Sequence, residues 1–382
     1  MNAVLAFVFV NSLGTGAVTL GVFFLARETF GYGPYELFLL GALIGVAYIP
    51  GAAAVGPALD RLRRRYDAVN ARRVMGGLML LLGGVCFLPA AVVGRVGQGA
   101  EGTQPGEGGW SLWVFLGCYA LLSGALWPIV ESYVSGGRRG AALRRAVGRF
   151  NVVWASAVVL VMWAMAPLVE TDPLRVLTLL GFVHIGAIGL LWRMGAEPGE
   201  HVEDAHEPHP PVYHRLLAVF RVELIASYIV ISALAPFLAF ALPRLGVSGA
   251  GATPIASVWM IARLLTFLGM ERWGGWHGRW SVFFVSGALM LGGFAACVWA
   301  SMIGTGEGLT MLVAGLIACG VGLGGIYAAA LYYVMEVGGG VGRCGRYARV
   351  AHRARVHRGP HVRRRGGHGH RAADRRPDRC PD

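Results

Sequence analysis

Residues 36–65 read ELFLLGALIGVAYIPGAAAVGPALDRLRRR. After Glu36 the segment carries no charge until Asp60, and it closes on four arginines, Arg61, Arg63, Arg64 and Arg65. A run of more than 20 uncharged, mostly apolar residues is long enough to cross a hydrocarbon core of about 30 Å as a helix. Nothing in a soluble core of ordinary size would bury it.

The same pattern recurs along the chain. Apolar runs fall at about 3–26, 36–59, 74–93, 111–134, 150–169, 174–192, 216–242, 252–270, 281–302 and 310–335. Only helices satisfy every backbone amide within a lipid-exposed segment, so the fold class expected is all-α, a polytopic membrane protein with about ten spans. Charged residues make up 14% of the 382, against about 25% in a soluble domain, which excludes an ordinary soluble enzyme. The first run has no basic leader and no evident cleavage site, so it reads as a spanning helix rather than a signal peptide.

Charge alternates from loop to loop. Arg61, Arg63, Arg64, Arg65, Arg72 and Arg73 lie between runs two and three, Arg138, Arg139, Arg144, Arg145 and Arg149 between four and five, and Arg272 and Arg279 between eight and nine. The intervening loops hold at most one arginine each (Arg27, Arg95, Arg175, Arg244). The positive-inside rule then puts the Arg-rich loops and the N-terminus in the cytoplasm of a cell membrane, inner or plasma. The segment 193–214, RMGAEPGEHVEDAHEPHPPVYH, is polar and Pro-containing and reads as a flexible linker. Six runs precede it and four follow. Its histidines His201, His206, His209 and His214 fit no standard metal spacing, and the six cysteines form no CxxC or Cys/His pattern, so no metal or cofactor is expected.

The loop after the second run, GPALDRLRRR at 56–65, resembles the G-x-x-x-D-R-x-G-R-R signature of the major facilitator superfamily, with Gly56, Asp60, Arg61, Arg64 and Arg65 matching and Arg63 in place of the second glycine. The second half echoes it in GMERWGGWHGRW at 269–280, where Glu271-Arg272 and Gly278-Arg279 recur at altered spacing. The resemblance implies two helical bundles that rock about a midplane site, carrying a small solute by secondary active or facilitative transport. It also implies a gate, in which Asp60 caps a helix of the opposite half and Arg64 pairs with Glu131 near the end of helix four. The expected division is 1–193 for a six-helix bundle, 194–215 for a cytoplasmic linker, 216–336 for four helices of a second bundle, and 337–382 for an Arg-rich disordered tail. A ten-helix transporter built as five plus five would put its linker elsewhere.

Superfamily members usually have twelve helices. The tail holds 13 Arg against 3 Asp and none of Leu, Ile, Phe, Met, Trp, Ser, Thr, Asn, Gln, Glu or Lys, so it neither spans a bilayer nor forms a core. Without it the chain carries 21 Arg against 18 acids, so most of the +13 formal charge is the tail's. One aromatic, Tyr347, leaves nothing for base stacking, and no nucleic-acid partner is expected. Arg, Gly, Ala, His and Pro are what GC-rich codons yield out of frame, and a one-base shift from Val341 can encode a Gly-rich loop and an apolar segment. The tail is therefore expected to arise from a frameshift near 337–341, leaving a C-terminally truncated transporter. The alternative product is a non-transporting scaffold or inactive fragment.

Ionisable and amide groups within the spans mark candidate sites. Arg263, in run eight, either binds an anionic substrate or pairs with Glu223 of run seven. Glu223 is also the candidate coupling acid. His184 in run six is a packing histidine or a proton relay, and Asn11 and Asn151 hydrogen-bond across helices or face a cavity. The Gly-rich run Gly320, Gly322, Gly324 and Gly325 suits close helix packing. No P-loop, HExxH or GxSxG occurs, so no catalytic residues are expected. The partners expected are the lipid bilayer and a small-molecule substrate, with a proton or ion in a coupled mechanism. Sequencing the coding DNA from codon 330 onward should reveal an inserted or deleted base near codons 337–341; a clean single frame through this region defeats the frameshift reading.

Overall fold

The computed structural model describes residues 1–99, 108–138, 140–199, 210–247 and 249–337. Residues 338–382 of the expected disordered tail and 200–209 of the expected linker, with His201, His206 and His209, lie outside the described residues. Ten helices are long and apolar enough to span a membrane. They are α1 (Asn2–Phe30), α2 (Pro34–Arg65), α3 (Ala71–Val93), α4 (Trp110–Ser135), α5 (Ala141–Ala164), α6 (Pro173–Leu191), α7 (Pro211–Arg244), α8 (Gly249–Arg272), α9 (Trp280–Ile303) and α10 (Thr305–Val334). Among the described residues there is no strand. The chain is an all-α, multi-pass membrane protein.

Each apolar run of the sequence maps onto one of these helices, with local differences that have physical causes. The run at 150–169 ends its span at Ala164, and a short helix, Ala166–Thr171, follows with Pro167 in its first turn, where a missing N–H costs nothing. α7 starts at Pro211, several residues before the apolar run, because Pro211 is suited to a helix N-terminus. The start of the expected linker is docked rather than free. Tyr133 donates to the carbonyls of Gly195 and Ala196 (2.9 and 3.1 Å), Arg72 Nη1 to that of Met194 (3.1 Å), and Arg63 forms an ion pair with Glu197.

Helices in lipid gain nothing from burying apolar faces against one another, so close backbone approach carries the packing. α2 and α4 cross at Gly51 and Gly124. A Cβ at Gly51 would stand 2.1 Å from the carbonyl oxygen of Leu121, and one at Gly124 would stand 2.3 Å from that of Tyr48. The Gly-rich run of α10 serves two neighbours in turn. Gly320 and Gly324 lie against Trp259 and Thr266 of α8, and Gly322 and Gly325 against Met290 and Ser286 of α9.

The first six helices meet the last four through α5 with α8 and α10, and α2 with α7. Three hydrogen bonds join the two sets at the Arg-poor end. Arg27 Nη1 donates to the Ala239 carbonyl (2.8 Å), Trp163 Nε1 to Ser257 Oγ (3.1 Å), and the Ala250 amide to Glu170 Oε1 (2.5 Å). At the Arg-rich end a small pocket lies between α5, α8 and α10. A second apolar cluster there, with Phe220, Trp276 and Tyr333, pins the α8–α9 loop. Tyr333 Oη accepts from the Gly278 amide (2.9 Å) and Trp276 Nε1 donates to the Met270 carbonyl (3.0 Å).

Gly124→Val should push α2 from α4 and cost about 1–3 kcal/mol, as overpacking does. Gly45→Ala, where a Cβ meets open space, should leave stability unchanged or slightly higher. Thermal unfolding of the detergent-solubilised protein followed by circular dichroism measures both; equal midpoints for the two variants would refute the close-approach account.

Candidate functional site

Arg263 is the one basic residue of the span Gly249–Arg272 ahead of Arg272 at its end, and only 3% of it is exposed. Its guanidinium carbon lies 4.8 Å from the ring centre of Trp154 on α5, 5.4 Å from that of Phe267 and 4.7 Å from that of Tyr327 on α10. Phe267 lies one turn along α8, on the same face as Arg263. Trp154 and Tyr327 are stacked at 5.9 Å and 16°. α10 can bring Tyr327 this close because Gly324 lets its backbone approach the Arg263 carbonyl, at 3.2 Å from a would-be Cβ.

The surroundings leave the cation uncompensated. No hydrogen bond or ion pair joins Arg263 to another described residue, and Nε is buried without a partner. The groups nearest to it electrostatically are Tyr327, Tyr228 and Cys319, none of them an acid. Burying an unpaired charge costs several kcal/mol even after relaxation. Each desolvated cation–π contact returns about 1–2 kcal/mol, so three rings offset much of that cost while leaving the guanidinium N–H donors open.

A wider cluster surrounds this box. Tyr327 lies in the electrostatic neighbourhood of Tyr228, Glu131 and Tyr48, and Tyr48 in that of Tyr228 and Glu131. These side chains come from α2, α4, α7 and α10, so both sets of helices contribute. Tyr228 stands close to Arg263 and its side chain is half-exposed. The pocket at the Arg-rich end, lined by Arg144, Asn151, Phe267, Glu271, Trp276 and Tyr332, shares Phe267 with the box around Arg263. Asn151 is buried and its Oδ1 has no partner.

The structure therefore brings Arg263, Asn151 and Glu131 to one region and leaves the other candidates elsewhere. Glu131 does not pair with Arg64. It lies a turn inside the end of α4 and faces the tyrosines, whereas Arg64 is exposed at the end of α2, and the one described ion pair there is Arg63–Glu197. Glu223 does not pair with Arg263 either. Its Oε1 faces Gly287 of α9, 2.6 Å from a would-be Cβ, and its Oε2 is buried without a partner. His184 is fully buried with Nε2 3.0 Å from Tyr119 Oη, against Gly14 of α1, and Asn11 is buried in α1. Gly56, Asp60, Arg61 and Arg65 are exposed, and Asp60 makes no hydrogen bond or ion pair among the described residues.

Trp154, Tyr327, Phe267, Tyr48 and Tyr228 were not legible as site residues, because an aromatic within an apolar run looks like any lipid-facing or packing residue. The Arg263-to-Phe267 spacing, one helical turn, was the available signal. In the Arg-rich loop before α9, burial holds the His277 imidazole below its ordinary range. The Gly274 carbonyl bonded to it and Glu336 oppose that shift, and Arg144 adds to it. The ring stacks on Trp276 at 3.9 Å. Glu271, the acid of the second motif, leans across the two sets of helices onto Gly148 of α5, where a Cβ would stand 2.7 Å from its Cγ.

Gly148→Val should therefore part the Arg-rich end. In a background with Cys118, Cys344 and Cys380 replaced by Ser, a reporter Asn151→Cys should react at least ~10-fold faster with a water-soluble thiol reagent when Gly148→Val is added; an unchanged rate would show that Gly148 is not part of a closure.

No protein-family model and no curated protein matches the sequence. Several solved structures do share the architecture. A bacterial homologue of the human lysosomal transporter Spinster, inward-facing and unoccupied, superposes with a TM-score of 0.56 at 18% identity, covering 86% of this chain and 73% of that one. The same homologue in its occupied form gives 0.53 at 17% identity, with 88% and 77% covered. A mutant of the nucleoside transporter NupG gives 0.57 at 12% identity, with 87% and 86% covered. At such identities the likeness establishes the fold.

Proposed function

We propose that this chain, which has the two-bundle fold of major facilitator transporters, carries a small solute across a cell membrane by alternating access and catalyses no covalent chemistry. The observation that supports the reading is an uncompensated cation, Arg263 of α8, buried against Trp154 of α5 where the two sets of helices meet. A site held by both bundles is loaded or released as they rock. The hydrogen bonds of Arg27, Trp163 and Glu170 join the two sets at the Arg-poor end, and the contact of Glu271 with Gly148 joins them at the other.

In this reading residues 1–193 and 216–336 are the two bundles and 194–215 the linker between them. The N-terminus and the Arg-rich loops face the cytoplasm by the positive-inside rule. The motif residues Gly56, Asp60, Arg61, Arg64 and Arg65 form a cytoplasmic gate whose counterpart in the second half is Glu271 against Gly148. Arg263, Asn151 and Glu131 belong to the substrate site. Glu223 and His184, each buried with an unpartnered polar atom, are the groups available for coupling to a proton.

A second reading has its own observation. The face of α2 carrying Val46, Ile49 and Asp60 is exposed among the described residues, and a chain in which this face stays uncovered would be a membrane scaffold without transport. Reconstitution of the purified full chain in liposomes decides between them. Solutes that raise its thermal stability should exchange in counterflow well above protein-free vesicles, and Arg263→Gln should lower that exchange at least ~10-fold. A helical, monodisperse preparation that exchanges no such solute would favour the scaffold.

A further inference from the structure

We propose that His277 is an acid-operated switch for the Arg-rich end: a proton taken up at Nε2 draws the α8–α9 loop onto Glu336 and drives it from Arg144 of α5, so that the two sets of helices part there. This takes from the transporter reading only that the two sets move against each other.

The ring is held with one nitrogen engaged and the other free. His277 Nδ1–H donates to the Gly274 carbonyl (2.5 Å). A carbonyl oxygen only accepts, so Nδ1 carries the hydrogen and Nε2 of the neutral ring keeps its lone pair. Nε2 is buried and has no hydrogen-bond partner among the described residues. Both faces of the ring's environment are filled: it stacks on Trp276 (3.9 Å, 24°) and meets Tyr332 edge-on (4.6 Å, 75°). Proton uptake therefore places a charge at a fixed point in the loop.

Two opposite charges flank that point. Glu336 stands one turn beyond Tyr332, where the helix of α10 runs on to Val337, and its Oε2 is also buried without a partner. From the other set, Arg144 Nη1 stands 3.8 Å from a would-be Cβ of Gly274, the residue whose carbonyl holds the imidazole. Neither Glu336 nor Arg144 is in an ion pair with a described residue. The other groups around the loop are Tyr332 and Tyr333 of α10 and Tyr213 of α7, which lies against Gly278. These are phenols, uncharged where an imidazole titrates. Within the segment itself Arg272 and Arg279 are exposed, and Glu271 is turned onto Gly148.

The two charges act in one direction. A neutral ring tolerates Arg144 across the seam. A protonated ring is repelled by Arg144 of the first set and attracted by Glu336 of its own. Burial first, and Arg144 with it, hold the imidazole below its ordinary range, against the Gly274 carbonyl and Glu336. The loop is thus neutral and seated at neutral pH and takes up its proton below about 6.5. A state in which His277 has left Arg144 and paired with Glu336 binds that proton more tightly, so acid favours it.

Pulsed electron spin resonance on the full chain in detergent tests this. Spin labels go on Ala142→Cys in α5 and Ser281→Cys in α9, both exposed positions, with Cys118, Cys344 and Cys380 replaced by Ser. The fraction of molecules at longer distance should rise at least ~5-fold from about pH 8 to about pH 5. His277→Gln, which cannot charge, should hold the short distance throughout, and Glu336→Gln should move the transition to lower pH. The pH comparison on the labelled chain with His277 intact stands even if both variants fail to fold. One distance distribution at both pH values overturns the inference, as does an unchanged transition in a folded His277→Gln protein. An acid-driven separation in a chain that exchanges no solute in liposomes upholds the switch while removing the transporter reading, so the two fail separately.

Discussion

In hydrocarbon the faces of two apolar helices have no solvent-driven reason to associate, and what holds them is how closely their backbones can approach. The rest of this structure depends on that constraint. The α2–α4 crossing at Gly51 and Gly124, and the contacts of α10 with α8 and α9 at Gly320 and Gly322, are positions where a Cβ would fall within 2.4 Å of a neighbouring backbone atom. Such contacts fix the register of each pair to a single residue. Register in turn fixes where side chains further along the same helices arrive. Tyr327 stands beside Arg263 because Gly324, one turn before it, lies against α8.

A buried arginine would be a liability in a bundle packed for stability alone. Stability is served better by a well-packed apolar residue of similar volume, since removing two charges from water costs more than their attraction returns unless the geometry is excellent. Here the pair is not even complete. The rings of Trp154, Phe267 and Tyr327 soften the cost without neutralising the charge. The contrast with His184 is instructive. That residue is equally buried, yet its Nε2 meets Tyr119 Oη within one helical block, as a packing histidine does. Arg263 sits where two blocks meet and has no such partner.

The spans were legible because hydrophobic length is a property of each segment alone. So was the presence of Arg263, since charge in an apolar run is conspicuous. Whether Arg64 meets Glu131, as the resemblance implies, and which of its two alternatives Arg263 takes were not legible, because a sequence gives depth along a helix but not azimuth around it. Glu131 and Arg64 lie near the same end of their helices, yet Glu131 faces the tyrosine cluster and Arg64 faces outward. Glu223 and Arg263 sit at compatible depths, yet Glu223 turns to Gly287 on α9. The aromatic box was hidden for another reason: tryptophan and tyrosine inside an apolar run carry no mark of which way they point.

The two acid–arginine motifs complete the picture through the symmetry of the fold. Glu271 ends the second helix of the second set and crosses to α5, the fifth helix of the first, at Gly148. Asp60 ends the second helix of the first set, the corresponding place in the first half. Among the described residues Asp60 is exposed and the neighbouring face of α2, with Val46 and Ile49, is open. The contact of Glu271 with Gly148 therefore holds α8 to α5 along the wall of the pocket at the Arg-rich end, whose lining includes both residues.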